Sequence, residues 1–210
     1  MVDIATLDDW YGKIRTQWEW IAGCAEFAVL WDSEDFQIWF EDQPIRAREA
    51  LLMISKSVVG NNAAAGIARI FDPDKGNNRI CIPRLLNCLE NLEVAEAYCR
   101  AHDGDDHLRF AQEIWKILQD TPSHFSAQTR QPKPTLMLDA FRKFRNARQA
   151  HLLETEPESV FYADMWHLAR EAGVIIESLG RASGTCTVSA SSVKGVWAER
   201  HMALFSVWKS

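Results

Sequence analysis

The sequence lacks any long apolar run. No apolar run in the 210 residues approaches the roughly 20 consecutive residues that a helix needs to span a bilayer. The first twenty residues carry several acids and no apolar block followed by a small-residue cleavage site, so they do not have the pattern of a secretory signal. We therefore expect a cytoplasmic protein with no membrane partner.

Paired cysteines and the common cofactor motifs are also missing. The five cysteines include no CxxC pair, which argues against a disulfide framework or a zinc site and favours buried free thiols. The chain has no GxGxxG, P-loop, HExxH or GxSxG motif. The acidic segment "HDGDDH" (102–107) fits no ligand spacing and is typical of a solvated turn. We expect neither a metal ion nor a cofactor.

Internal repeats and convincing strand pairs are absent as well, and helical periodicity takes their place. We predict an all-α fold, an up-and-down bundle with irregular connections. Residues 1–182 form the bundle, and 183–210 form a linker and an amphipathic helix that packs on it. The predicted helices span about 6–31, 44–71, 83–101, 107–120, 135–153, 158–179 and 193–208.

Tryptophan is abundant, with nine residues, and five of them fall within the first forty positions. Such clustering is typical of a hydrophobic core helix or of an apolar surface used for oligomerisation. A third interpretation is a helical bundle in which the Trp-rich first helix forms one wall of a small-molecule pocket.

Charge is unevenly distributed along the chain. The net charge of −6 does not favour nucleic-acid binding. Residues 130–151, however, hold six Arg and Lys side chains against one Asp, a net +5 that leaves −11 for the remainder. This basic block is either a solvated helix face or an anion-binding surface.

The segment "FRKFRNARQAHLLE" (141–154) lies in that block. On a helical wheel His151 falls about 20° from Phe144, on the apolar face, with Arg148 on the same side and Arg145 at the edge. An imidazole flanked by guanidinium groups suits phosphodiester chemistry, because His exchanges protons near neutral pH and Arg binds phosphate bidentately. A core or interface His hydrogen-bonded to a neighbouring helix explains the position equally well.

The motif "RNARQAH" (145–151) resembles that of the HEPN superfamily, in which an Arg and a polar residue precede a His. Its surroundings, and the helix ending "IARIFDPD" (67–74), are similar to the abortive-infection (AbiU-like) branch of that superfamily. The likeness covers roughly residues 40–180. From the residues alone, the i,i+3 pair Arg69 and Asp72 in that ending is predicted to be a structural ion pair.

The resemblance implies a HEPN-like bundle over residues 1–182, with extra N-terminal and C-terminal helices, that dimerises with its motif helices facing. Active members cut RNA without metal in the shared cleft. By position, Arg145 would bind the scissile phosphate, His151 would act as general base or acid, and Asn146 would orient one of them. To these we add Arg142 and Arg148 as contacts to backbone phosphates.

Two functional hypotheses follow. The first is a homodimeric, metal-independent endoribonuclease of the toxin or phage-defence type, with RNA as substrate and an antitoxin as a further partner. Replacing His151 or Arg145 with Ala would abolish cleavage and leave the fold intact. The second is a catalytically silent helical dimer that binds a partner protein or a nucleotide, with His151 buried in the interface.

Overall fold

The computed structural model describes residues 2–31, 33–55, 62–73, 79–100, 102–124, 135–149, 162–185 and 189–209. Every regular element in this part of the chain is a helix, which confirms the all-α prediction. Ten helices are described in chain order: α1 Ile4–Trp31, α2 Glu34–Glu41, α3 Ile45–Ile54, α4 Ala64–Ile70, α5 Ile82–Cys88, α6 Leu92–Tyr98, α7 Gly104–Asp120, α8 Met137–Gln149, α9 Tyr162–Ala182 and α10 Ala190–Lys209.

Helix α1 is the central element, and α4, α9 and α10 all pack against it. It begins at Ile4, two residues before the predicted start, because the Asp3 side chain accepts a hydrogen bond from the amide of Thr6 at 2.7 Å. An apolar stripe recurs at helical spacing along this helix, and it is buried at Ile14, Trp18, Ile21 and Ala25. Val29, placed on the same stripe, is exposed.

Capping side chains mark the starts of two short helices. The connection after α1 contains the eight-residue helix α2, whose first turn is capped by Ser33 through the amide of Phe36 at 3.3 Å. The single helix predicted over 83–101 is two helices, α5 and α6. Asn91 caps the second of them by accepting from the amide of Val94 at 3.2 Å.

Two tryptophans pack onto glycines, which lets neighbouring helices approach closely. The ring of Trp18 lies against Gly173 of α9, where an added Cβ would be 2.5 Å from the ring, and its indole N–H donates to the carbonyl of Ala169 at 2.8 Å. The ring of Trp197 lies in the same way on Gly23, at 2.7 Å from an added Cβ. The first contact holds α9 against α1, and the second holds α10 there.

The helices that carry the candidate site are arranged around α4 and α7. Helix α8 packs mainly against α4, and α9 packs along α7. The residues before α8 are tied to the end of α7, since the amide of Ser123 donates to Thr135 and the amide of Met137 donates to Thr121, both at 2.9 Å. These contacts set α8 beside the end of α4, where the "IARIFDPD" segment turns.

Candidate functional site

Four of the five predicted site residues lie in α8, the helix of the basic motif. The structure gives side-chain positions for Arg142, Arg145 and Asn146. The side chain of Arg148 and the whole of His151 lie outside the described part of the structure.

Arg145 is buried, with 8 % of its surface exposed, although the helical wheel placed it at the edge of the apolar face. Its Nη1 donates to Oδ1 of Asp72 at 2.5 Å and lies 3.5 Å from the carbonyl oxygen of Ala68. Asp72 is also buried, so the ion pair replaces interactions that the two charged groups would otherwise make with water. This pair joins α8 to the end of α4, across 73 positions of sequence.

The carboxylate of Asp72 has a second cationic partner. Its Oδ2 accepts from Nη1 of Arg79 at 2.7 Å, and the side chain of Arg79 is mostly exposed. The predicted pairing of Asp72 with Arg69 is wrong, because Arg69 is exposed and both carboxylate oxygens bind the other two arginines. Asp72 thus lies between a buried and a solvent-facing guanidinium.

The other edge of the Arg145 guanidinium holds a neutral acceptor. Its Nε and Nη2 donate to Oδ1 of the exposed Asn146, at 3.2 and 3.1 Å. Two parallel N–H groups of this kind form the edge that binds a carboxylate or phosphate bidentately. Asp72 and Asn146 therefore bind different edges of the guanidinium.

Arg142 ties α8 to its surroundings. Its Nη1 donates to Asp139 at 2.9 Å, and its Nη2 donates to the carbonyl of Phe71 at 2.8 Å. Its Nε is buried and makes no hydrogen bond within the described residues. Arg142 thus links α8 to the residue that precedes Asp72, and both of its terminal nitrogens already donate hydrogen bonds within the protein.

A second polar cluster, not singled out in the sequence, lies at the start of α9. The imidazole Nδ1 and the backbone amide of His124 both contact Oδ1 of Asp164, which is fully buried. His167 follows one turn later, and burial lowers its pKa while nearby Glu171 opposes that shift. Since 40 residues separate His124 from Asp164, no local spacing could have indicated the pair.

No family model, curated protein or solved structure matches the chain. Within the described ranges no helix is both long and apolar enough to cross a bilayer. Over the same ranges no group of three or more His, Cys, Asp and Glu side chains is placed to hold a metal ion.

Proposed function

We propose that the protein is a metal-independent endoribonuclease of the toxin or phage-defence type, with a HEPN-like up-and-down bundle that acts as a homodimer. The observation that carries the proposal is the Asp72–Arg145 pair. It brings together the two segments on which the resemblance depends, "IARIFDPD" and "RNARQAH", and it turns the Nε and Nη2 edge of Arg145 toward the exposed Asn146.

In the proposed mechanism the substrate supplies the nucleophile. The 2′-hydroxyl attacks the adjacent phosphorus, the 2′-O–P bond forms as the P–O5′ bond breaks, and the products carry a 2′,3′-cyclic phosphate and a 5′-hydroxyl. Arg145 neutralises charge on the phosphate oxygens through its Nε and Nη2 edge, and Asp72 fixes the direction of that edge. Asn146 releases the edge when the phosphate arrives.

Proton transfer falls to His151 in this proposal. One imidazole removes the proton from the 2′-hydroxyl, and a second protonates the leaving oxygen, so a cleft that two chains share would supply both groups. Arg148 follows Arg145 by three positions on α8 and is proposed to contact the RNA backbone outside the scissile phosphate.

The test is incubation of purified protein with total RNA in excess EDTA. We expect discrete fragments that end in cyclic phosphate, and their loss in the His151→Ala variant, because proton transfer contributes about 10²–10⁴-fold to such reactions. The RNA staying intact with the parent protein, or His151→Ala cutting at the parent rate, would contradict the proposal.

A second candidate is the catalytically silent dimer that binds a partner protein or a nucleotide. It is favoured by the engagement of Arg142 and Arg145 with groups of the protein itself, which is what a structural role for these arginines requires. It predicts no RNA cleavage under the same conditions. The EDTA experiment therefore decides between the two candidates.

A further inference from the structure

A cavity of about 540 Å³ lies between α1, α9 and α10, away from the contacts that surround Arg145. This volume is within the range of small-molecule sites. Its aromatic walls are Trp18 of α1 and Trp166 of α9, and small side chains of Ala22, Ala25 and Ala169 leave room between them. The space exists because the residues facing the two rings are small.

A buried carboxylate faces this apolar space. Glu26 lines the cavity and is 7 % exposed, and burial raises the pKa of its carboxyl, opposed by the nearby Lys194. The nearest cation is the ammonium of Lys194, whose Nζ lies 3.7 Å from Oε1 of Glu26. Half of the Lys194 side chain is exposed, so its ammonium can move into water without any rearrangement of the helices.

Lys194 occupies the position that a bound cation would take. Its Nζ lies 4.4 Å from the centroid of the Trp166 ring, over the face of the indole, as well as beside Glu26. A carboxylate on one side and an indole face on the other form the arrangement by which proteins recognise ammonium groups. The other cations at the rim have acid partners of their own, since Arg181 pairs with Glu177 and Arg170 pairs with Glu171.

We propose that this cavity binds an organic cation, an amine carried on an apolar body. The ligand ammonium displaces that of Lys194 and lies between Glu26 and Trp166, and the apolar body fills the space beside Trp18. The inference does not rest on the ribonuclease proposal, because the hydrogen-bond and ion-pair partners described for Asp72 and Arg145 do not line the cavity.

The test uses isothermal titration calorimetry with three probes of one shape: 4-phenylbutylamine, 4-phenylbutanol and 4-phenylbutyrate. We expect the parent protein to prefer the amine. Glu26→Gln should weaken amine binding by about 10- to 100-fold, because it removes the charged acceptor of the ligand ammonium. Lys194→Met should tighten amine binding severalfold, because it removes the competing ammonium.

The control is Lys13→Met, which removes an exposed lysine that pairs with Asp9 and should leave binding unchanged. Thermal melts of each variant confirm that it is folded. Preference of the parent for 4-phenylbutyrate, weaker amine binding by Lys194→Met, or an unchanged affinity of Glu26→Gln would each overturn the proposal. The proposal would also be overturned if the amine bound neither the parent protein nor the Lys194→Met variant.

Discussion

Replacement of Asp72 by Ala is expected to lower the free energy of unfolding by about 3–5 kcal/mol, the usual cost of breaking a buried ion pair on one side. The substitution leaves the buried guanidinium of Arg145 with no carboxylate and removes the partner of Arg79 as well. Equilibrium denaturation in urea, followed by circular dichroism, gives the difference directly.

The matched control is Asp139→Ala. Asp139 also pairs with an arginine of α8, Arg142, at 2.9 Å, but its side chain is half exposed. Exposed pairs contribute about 0–1 kcal/mol, so this variant should stay close to the parent. An Asp72→Ala variant no less stable than Asp139→Ala would show that the buried pair does not hold α8 to α4.

The second large effect is expected for Arg145→Lys. The lysine keeps a positive charge beside Asp72 but has no pair of parallel N–H groups to receive a phosphate. Under the proposed function, RNA cleavage should fall by about 10²–10³-fold, the usual cost of removing one preorganised donor from a transition state. Single-turnover cleavage of a defined RNA in EDTA measures the loss.

Lysine is preferred to alanine here because Arg145 is buried and paired. The expectation that Arg145→Ala leaves the fold intact is not supported by that geometry, since alanine would leave the carboxylate of Asp72 with Arg79 alone. Arg109→Lys, at an exposed arginine of α7 that lies 3.9 Å from Asp106, is the control and should cut at the parent rate. If Arg145→Lys and Arg109→Lys cleaved RNA at equal rates, Arg145 would have no part in the mechanism.

Periodicity predicted the fold class because most helices bury one face along a regular stripe. Ile14, Trp18 and Ile21 recur at helical spacing in the sequence, and all three are buried in the structure. The division of 83–101 into α5 and α6 was not predicted, since the cap at Asn91 interrupts an otherwise continuous helical pattern. A single side-chain hydrogen bond decides that boundary, and periodicity does not detect it.

The candidate site could be predicted only in part. The sequence pointed to Arg145 and Asn146, which do contact each other in α8. It assigned Asp72 to the wrong arginine because spacing along a helix favours a neighbour such as Arg69, whereas the actual partner comes from a helix 73 positions away. The carboxylate of Glu26 beside Trp166 was missed for the same reason, since the two residues meet only when α1 packs against α9.

The most direct test of the central claim is a crystal structure of the assembled protein with an RNA dinucleotide blocked by a 2′-O-methyl group. We expect the phosphate oxygens to replace Oδ1 of Asn146 on Nε and Nη2 of Arg145, at about 2.7–2.9 Å, with Asp72 still on Nη1. His151 of one of the two chains should lie within about 3 Å of the blocked 2′ oxygen. A phosphate bound elsewhere while Arg145 keeps its contact with Asn146, or a His151 enclosed away from the phosphate, would contradict the account.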